Sequence, residues 1–125
     1  MKIELTGVFV DDQARALKFY TEVLGFIKKT EIPAILWVTI VSPEEPGGAE
    51  LLLEPNSNPA ASTYQEAIYR KGIAATAFAV EDIQAEYERL KNLGVVFTMP
   101  PTDFGGVIQA VLDDTCGNLI QIYQA

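Results

Sequence analysis

Alternating and periodic apolar positions define the first half of the chain. Residues 3–10 (IELTGVFV) are apolar and β-branched, which predicts a strand, and the Asp11-Asp12 pair that follows supplies a helix N-cap. Residues 13–26 predict a helix, with Gly25 placed to end it in a left-handed conformation. The apolar stripe that supports this helix recurs at three- and four-residue spacing and consists of Ala16, Leu17, Phe19, Tyr20, Val23 and Leu24.

A group of strands is predicted to follow this helix. Residues 26–31 (FIKKTE) form a candidate strand, and residues 34–43 (AILWVTIVSP) form a stronger one. The EEPGG segment at 44–48 predicts a turn, so residues 49–55 (AELLLEP) are expected to pair with the preceding strand. The first half therefore predicts the order β-α-β-β-β.

The pattern restarts after a polar connection. Residues 56–62 (NSNPAAS) have a linker's composition, and residues 63–72 predict a short helix or an ordered connection. Residues 73–80 then match the first strand, Glu81-Asp82 repeats the acidic cap, and residues 83–94 repeat the helix. Three further strand candidates are VVFTMPP, GVIQAVLDD and GNLIQIYQ.

An internal duplication explains this restart. A shift of 70 residues superposes Thr6 on Thr76, Val10 on Val80 and Asp12 on Asp82, while Leu24-Gly25-Phe26 falls one residue off Leu93-Gly94-Val95. The coincidence of strand, acidic cap, helix and Leu-Gly stop predicts two copies of one unit. We expect a single domain over residues 1–125, composed of module 1 (1–55), a linker (56–72) and module 2 (73–125).

Composition and charge narrow the possible functions. The 125 residues are 49% apolar and 21% charged, as expected for a folded globular protein. The net charge of −8, from 9 basic and 17 acidic residues, argues against nucleic acid and anionic lipid as partners. No run approaches the roughly 18 apolar residues of a membrane span. With one cysteine and no leader-like N-terminal pattern, a cytoplasmic location is expected.

Histidine is absent, and this removes whole classes of chemistry. Ser-His-Asp and Cys-His nucleophile systems, H-E-x-x-H zinc sites and the two-His-one-carboxylate iron triad all need an imidazole. Any remaining chemistry would rely on carboxylates, Tyr, Lys, Cys116 or an oxygen-ligated ion such as magnesium or calcium.

Three segments carry a resemblance to a known family. VDDQARALKFYTEVLGF, VEDIQAEYERLKNLGV and DDTCGNLIQIYQ resemble the vicinal oxygen chelate superfamily, which includes glyoxalase I, fosfomycin and bleomycin resistance proteins and extradiol dioxygenases. The resemblance implies an α+β fold in which two β-α-β-β-β modules form a cup-shaped mixed sheet with helices packed outside. It also implies a small-molecule site in the cup and a homodimer.

The same resemblance bears on metal binding. The family's enzymes place His seven residues before each capping Asp and carboxylates in two later strands. Carried onto this chain, the His positions are Leu5 and Ala75, the carboxylate of the last strand is Gln121, and that of the first hairpin is Glu50. At most one usual ligand survives, so we expect no metal and no cofactor.

Strand alternation predicts which side chains line the cup. If Leu5 faces inward, so do Gly7 and Phe9, and the same parity turns Ala75, Ala77 and Ala79 inward in module 2. Trp37, Thr39 and Val41 form another inward row. Leu119, Gln121 and Tyr123 form a further inward row on the last strand. The predicted ligand-binding residues are Phe9, Trp37, Thr39, Glu50, Gln109, Gln121 and Tyr123.

Simpler structural roles compete with these assignments. Glu50 fits a solvent-facing strand residue beside the Gly47-Gly48 turn, and Trp37 fits a core or dimer contact as well as a cup wall. Cys116 has no His or basic neighbour and fits an incidental thiol. Asp12 and Asp82 fit helix caps. Gln121 is harder to explain structurally, because an amide within LIQIY needs a polar ligand, water or partner.

Two functions of different classes follow. One is a metal-free homodimeric module of the bleomycin-resistance kind, which sequesters or carries a small hydrophobic or cationic compound. The other is a glyoxalase-like lyase, or another small-molecule enzyme, with Glu50 or Tyr123 as its base. A subunit or sensory role with a vestigial cup is a third interpretation.

Overall fold

The computed structural model describes all residues from Met1 to Ala125. Three α-helices and eight strands follow one another in the order predicted for a duplicated unit. Along the chain they are β1 (Leu5–Val10), α1 (Gln13–Lys18), β2 (Ile27–Ile32), β3 (Trp37–Val41), β4 (Glu50–Pro55), α2 (Pro59–Arg70), β5 (Thr76–Ala79), α3 (Ile83–Asn92), β6 (Phe97–Asp103), β7 (Ile108–Asp113) and β8 (Leu119–Gln124). None of the helices is long and apolar enough to cross a membrane.

The chain divides into two compact units, which we call unit 1 (Met1–Thr63) and unit 2 (Tyr64–Ala125). Each unit contains one four-stranded mixed sheet, and the two strand orders are equivalent. Sheet 1, in unit 1, has the order β1-β4-β3-β2, and sheet 2, in unit 2, has the order β5-β8-β7-β6. In each, the first strand lies parallel to the last strand and the other neighbours are antiparallel. The predicted α+β fold class is therefore confirmed.

The core of unit 1 lies between one face of sheet 1 and helix α1. Val8 and Val10 of β1 are buried there beside Leu51 and Leu53 of β4, and α1 packs against β4. The Asp12 side chain accepts a hydrogen bond from the Arg15 N–H, so Asp12 is the predicted N-cap. Burial of these branched residues on a single face follows from their alternation along the strands.

The core of unit 2 has the same plan. Helix α3 packs across β6, β7 and β8 and buries its Ile83 and Leu90. Asp82 caps this helix by accepting from the Ala85 N–H, as predicted. Gln124 adds a second cap, since its Oε1 accepts from the Ile83 N–H at 2.8 Å. The buried sheet residues beneath α3 are Ala110, Leu112, Ile120 and Ile122.

The predicted helix over 13–26 changes type halfway. After α1, residues Phe19–Val23 form a π-helical turn, and Gly25 follows in a left-handed conformation with φ +93°. Gly25 lies 13 residues after its cap Asp12, whereas Gly94 lies only 12 residues after Asp82. The wider i→i+5 bonding absorbs the extra residue. This accounts for the one-residue offset between the two halves of the sequence.

Two other segments differ from the sequence prediction. Residues 34–36 are not strand, because Pro33–Ile35 forms a 3₁₀ turn and Leu36 adopts φ 53°, so β3 starts only at Trp37. The segment 56–62 is not an open linker throughout, because α2 begins at Pro59. Asn58 accepts a hydrogen bond from the Ala60 N–H, and Pro59 supplies the fixed φ that suits a first helical position.

Candidate functional site

Each sheet has one face under a helix and one face without, which we call its open face. In sheet 1 the paired residues Leu5 and Glu50, Gly7 and Leu52, and Phe9 and Glu54 share the open face. Thr39 lies opposite Leu52, so β3 presents Trp37, Thr39 and Val41 to the same side. The predicted inward rows of module 1 therefore do lie on one face of one sheet.

Glu50 interacts with two polar residues, Thr39 and Lys29, on this open face. Its Oε1 accepts a hydrogen bond from the Thr39 hydroxyl at 2.7 Å, and its Oε2 lies 3.9 Å from the Lys29 ammonium. The Glu50 side chain is 22% exposed, against 40% for Lys29. Glu50 is thus a partly buried, partnered carboxylate and not the freely solvated strand residue that its neighbouring turn suggested.

Thr39 needs a correction as a predicted ligand contact. Its side chain is completely buried, and its hydroxyl proton is already given to Glu50. A ligand cannot reach a group with no accessible surface, so Thr39 acts on the site through its hydrogen bond to Glu50. Lys29 was missed by sequence reasoning because it lies at an irregularity in the β2–β3 register, between Lys28 and Thr30, which breaks strict alternation.

The far end of the same open face carries Phe9, Glu54 and Trp37. Phe9 lies directly opposite Glu54 on the neighbouring parallel strand. Phe9 and Trp37 are partly buried, whereas Glu54 is exposed and forms no ion pair or hydrogen bond. Glu54 was not among the predicted site residues, although its position four residues after Glu50 on the same strand places it on the same face.

The open face of sheet 2 carries the remaining predicted residues. Tyr123 lies opposite Ala79 on one side and opposite Gln109 on the other. Gln121 similarly lies between Ala77 and Val111. The register thus brings Gln109, Gln121 and Tyr123 together on one face, next to the small side chains of Ala77 and Ala79 on β5. Diagonal neighbours of this kind lie about 7–8 Å apart, within reach of one ligand.

The two glutamines on this face keep their hydrogen-bonding capacity. Neither the Gln109 nor the Gln121 amide bonds to another group of the chain, and both residues are only partly buried. Each amide offers a carbonyl acceptor and an NH₂ donor. Sheet 2 therefore presents uncharged donors and acceptors, whereas sheet 1 presents charged groups.

A buried polar turn joins β7 to β8 in unit 2. The Asp114 carboxylate accepts from the Cys116 N–H at 2.7 Å, the Asn118 N–H at 3.0 Å and the Asn118 side-chain amide at 2.8 Å. Gln65 of α2 donates to the Cys116 carbonyl and to Asn118 Oδ1. Cys116 is completely buried, which agrees with an incidental thiol.

Tyr69 of α2 reaches the residue before this turn. Its hydroxyl donates to Asp113 Oδ2, and this hydrogen bond, together with the negative charge of Asp113, raises the pKa of Tyr69 above its usual range. Tyr69 is 38% exposed. These contacts of α2 are structural, and the sequence did not indicate them because they join residues more than 40 positions apart.

The residues at the expected metal positions do not fit a metal ion. Leu5 is a hydrocarbon beside Glu50, Ala75 has no donor, and Gln121 offers a neutral amide oxygen in place of a carboxylate. Glu50 is already engaged by Thr39 and Lys29. No three His, Cys, Asp or Glu side chains are placed to hold one ion. Divalent ions need several oxygen, nitrogen or sulfur ligands, which this set lacks.

Comparison with known proteins agrees with the fold. Residues 2–122 match the family model described as Glyoxalase/Bleomycin resistance protein/Dioxygenase superfamily. The chain therefore belongs to this superfamily, as its motifs predicted. The chain is also 59% identical over 126 residues to the uncharacterized protein YurT of Bacillus subtilis (strain 168), with 99% of each chain covered.

Solved structures show the same architecture. UcmS2 is 28% identical, with a TM-score of 0.84 and coverage of 98% of this chain and 97% of UcmS2. TnmS3, an antibiotic binding protein from Streptomyces sp. CB03234, is 23% identical, with a TM-score of 0.76 and coverage of 99% and 95%. The structural similarity extends over nearly the whole chain in both cases.

Proposed function

We propose that this protein binds a small, largely hydrophobic or cationic compound without a resident metal, as a binding protein of the glyoxalase/bleomycin-resistance type. The observation that carries the proposal is the open face of each sheet. Both faces combine partly exposed apolar side chains with a few polar groups, and the expected metal positions hold Leu5, Ala75 and Gln121. Apolar walls with a few placed polar groups are typical of small-molecule sites.

The predicted contact residues, with Thr39 removed, form two groups. Phe9, Trp37 and Glu50 lie on sheet 1, and Gln109, Gln121 and Tyr123 lie on sheet 2. TnmS3, which shares the fold, is described as an antibiotic binding protein, so this architecture is compatible with binding of a drug-like compound. We further propose that the protein acts as a homodimer, as the family resemblance implies.

A thermal-shift assay on chelator-treated protein tests the binding proposal. The panel contains magnesium, manganese, zinc and nickel ions, and aromatic, cationic and thiol-conjugated organic compounds. A ligand present at a hundredfold excess over its dissociation constant stabilises the native state by about 2.7 kcal/mol. For a chain of this size that is a rise in Tm of several degrees. We expect organic compounds to raise the Tm and metals not to.

A matched pair of variants tests whether the ligand that raises the Tm binds at the open face of sheet 2. Gln121→Leu removes an unbonded amide from the open face, so it should reduce the shift caused by a polar hit without lowering the Tm of the free protein. Gln84→Leu, at an exposed position of α3, is the control and should leave the shift unchanged. A Tm increase with divalent metals, or turnover of a thiol-conjugated substrate that depends on Glu50 or Tyr123, would instead support the glyoxalase-like enzyme.

A further inference from the structure

We infer that the end of sheet 1 formed by Phe9, Glu54 and Trp37 is a subsite for an organic cation, such as an alkylammonium or quaternary ammonium group. This inference rests on the proposed function and deepens it by naming the ligand's charge and the residues that recognise it. It selects the cationic alternative over a purely hydrophobic compound.

Glu54 is the free negative charge on this face. The other carboxylate of the open face, Glu50, has Lys29 3.9 Å away and the Thr39 hydroxyl at 2.7 Å, so its charge is already compensated. Glu54 has no cation within ion-pair distance and no hydrogen-bond donor from the chain. An incoming cation would therefore meet a carboxylate with no internal partner to displace.

Aromatic side chains accompany Glu54 on both neighbouring strands. Phe9 is its direct partner across the parallel β1–β4 pair, and neighbouring strands lie about 4.8 Å apart. On the other side, Trp37 precedes Thr39 by two residues and Glu54 follows Leu52 by two. The antiparallel order of β3 and β4 therefore puts Trp37 and Glu54 at the same end of the same face.

Gln13 holds β3 and β4 together at this end. Its Nε2 donates to the Leu36 carbonyl at 2.7 Å and to the Leu53 carbonyl at 2.8 Å. The two carbonyl oxygens thus lie at most about 5.5 Å apart, the sum of these distances. Leu36 and Leu53 immediately precede Trp37 and Glu54. The two hydrogen bonds from Gln13 therefore hold the backbone segments of the tryptophan and the carboxylate next to each other.

Gly7 lies next to the Glu54 carboxylate across the β1–β4 pair. A Cβ built at Gly7 would lie 3.8 Å from Glu54 Oε2, 3.7 Å from Leu52 Cβ and 3.6 Å from the Leu52 carbonyl oxygen. These distances place the carboxylate beside the β1 backbone, on the strand that also carries Phe9.

This combination suits a cation with apolar substituents. Aromatic faces attract ammonium groups through their quadrupole, and Trp is the strongest of the aromatic side chains in this respect. A carboxylate adds a direct charge interaction. The protein's net charge of −8 favours the approach of cations over anions.

Fluorescence of the single tryptophan gives a direct readout of the subsite, since the chain contains only Trp37. The probes are benzyltrimethylammonium and its neutral carbon analogue, neopentylbenzene, which share shape but differ in charge. Each is titrated into the full-length protein at low and at high salt. We expect the cation to bind about tenfold more tightly than the neutral analogue at low salt, equivalent to about 1.4 kcal/mol, with the difference reduced at high salt.

Two charge-matched variants assign the preference. Glu54→Gln keeps the size of the side chain and removes its charge, so the cation and neopentylbenzene should then bind with equal affinity. Glu22→Gln removes the same charge at an exposed position after α1 and should leave the preference intact. Urea unfolding of both variants checks that they remain as stable as the parent.

The outcomes separate this inference from the proposed function. If both probes bind with equal affinity, or if Glu54→Gln retains the preference, the cation subsite is wrong and the binding function stands. If both variants lose the preference equally, long-range charge and not Glu54 is responsible, and the subsite is again wrong. If neither probe binds and the wider organic panel also causes no thermal shift, the proposed function itself is wrong.

Discussion

Units 1 and 2 share a strand order but differ in how they use their polar residues. On the open face of sheet 1, Lys29, Glu50 and Thr39 satisfy one another and leave Glu54 as the free charge. On the open face of sheet 2, the polar groups include the Tyr123 hydroxyl and the uncharged, unbonded amides of Gln109 and Gln121. The first surface is suited to recognition of charge, and the second to hydrogen bonding with a neutral group.

The units also differ in their hairpin connections. Between β3 and β4 the residues at 43–47 are all exposed, whereas between β7 and β8 the turn is built on the buried residues Asp114, Cys116 and Asn118. A repeated strand and helix pattern therefore preserves the topology of a unit without preserving what its loops and open face contain. The two units therefore differ most in their turns and in the polar residues of their open faces.

The largest predicted effect compares the two hairpin connections directly. Asp114→Ala removes at least three hydrogen bonds to a buried carboxylate, so we expect a loss of about 3 kcal/mol in unfolding free energy. Glu44→Ala, in the exposed β3–β4 turn, should cost less than about 0.5 kcal/mol. Urea unfolding followed by circular dichroism measures both, and a loss below about 1 kcal/mol for Asp114→Ala would refute the difference.

Glycine-to-alanine substitutions in the same two connections should also differ in their effect on unfolding free energy, by nearly as much. Gly117 has φ +97°, and a Cβ there would lie 2.8 Å from Gln65 Nε2, so Gly117→Ala should cost about 2 kcal/mol. A Cβ added at Gly47 would meet no atom within 4 Å, and Gly47 has no left-handed φ, so Gly47→Ala should change stability by less than about 0.5 kcal/mol. Equal midpoints for the two variants in thermal unfolding would contradict this prediction.

The open faces themselves can be compared by removing one polar group from each. Thr39→Val keeps the side-chain shape but deletes the hydrogen bond to Glu50, and we expect a loss of about 1 kcal/mol. Gln121→Leu breaks no internal bond and should stay within about 0.5 kcal/mol of the parent. The comparison fails if Gln121→Leu proves the more destabilising of the two in chemical denaturation.

The smallest effect concerns Tyr69, and its pH dependence appears only at alkaline pH. Its pKa is raised by the hydrogen bond and charge of Asp113, so the neutral phenol is favoured in the folded state. This contribution to stability is complete below about pH 10, the unfolded value, and is lost as pH rises through the higher folded pKa. The Tm difference between the parent and Tyr69→Phe should therefore be constant up to about pH 10 and shrink above it.

Tyr64→Phe in the same helix is the control for this titration. Tyr64 is 60% exposed and forms no hydrogen bond within the chain, so its replacement removes a hydroxyl without breaking an internal bond and should leave the Tm at pH 7 close to that of the parent. Ultraviolet absorbance of the phenolate reports the ionisation of Tyr69 directly. A Tm difference between the parent and Tyr69→Phe that stays constant above about pH 10 would show that the Asp113 hydrogen bond does not couple this ionisation to folding.

Much of the fold could be predicted because its signals are local. The acidic caps Asp12 and Asp82 act on backbone N–H groups three residues ahead, and strand parity places Phe9 with Gly7 whatever lies elsewhere. The exceptions are also local in origin. Pro33 starts a 3₁₀ turn that shortens β3, and Asn58 with Pro59 starts α2 inside a segment with a linker's composition.

The sequence alone determined the duplicated β-α-β-β-β order, because that order depends on residue type and spacing, and three of its segments carried the resemblance that indicated the family. Only the tertiary structure decided which polar groups remain available. Thr39 and Gln121 look alike as polar members of apolar strands, yet Thr39 is buried against Glu50 and Gln121 has no partner. Strand register, bulges and contacts between distant segments determine which polar side chains find partners, and these features cannot be predicted from local sequence patterns.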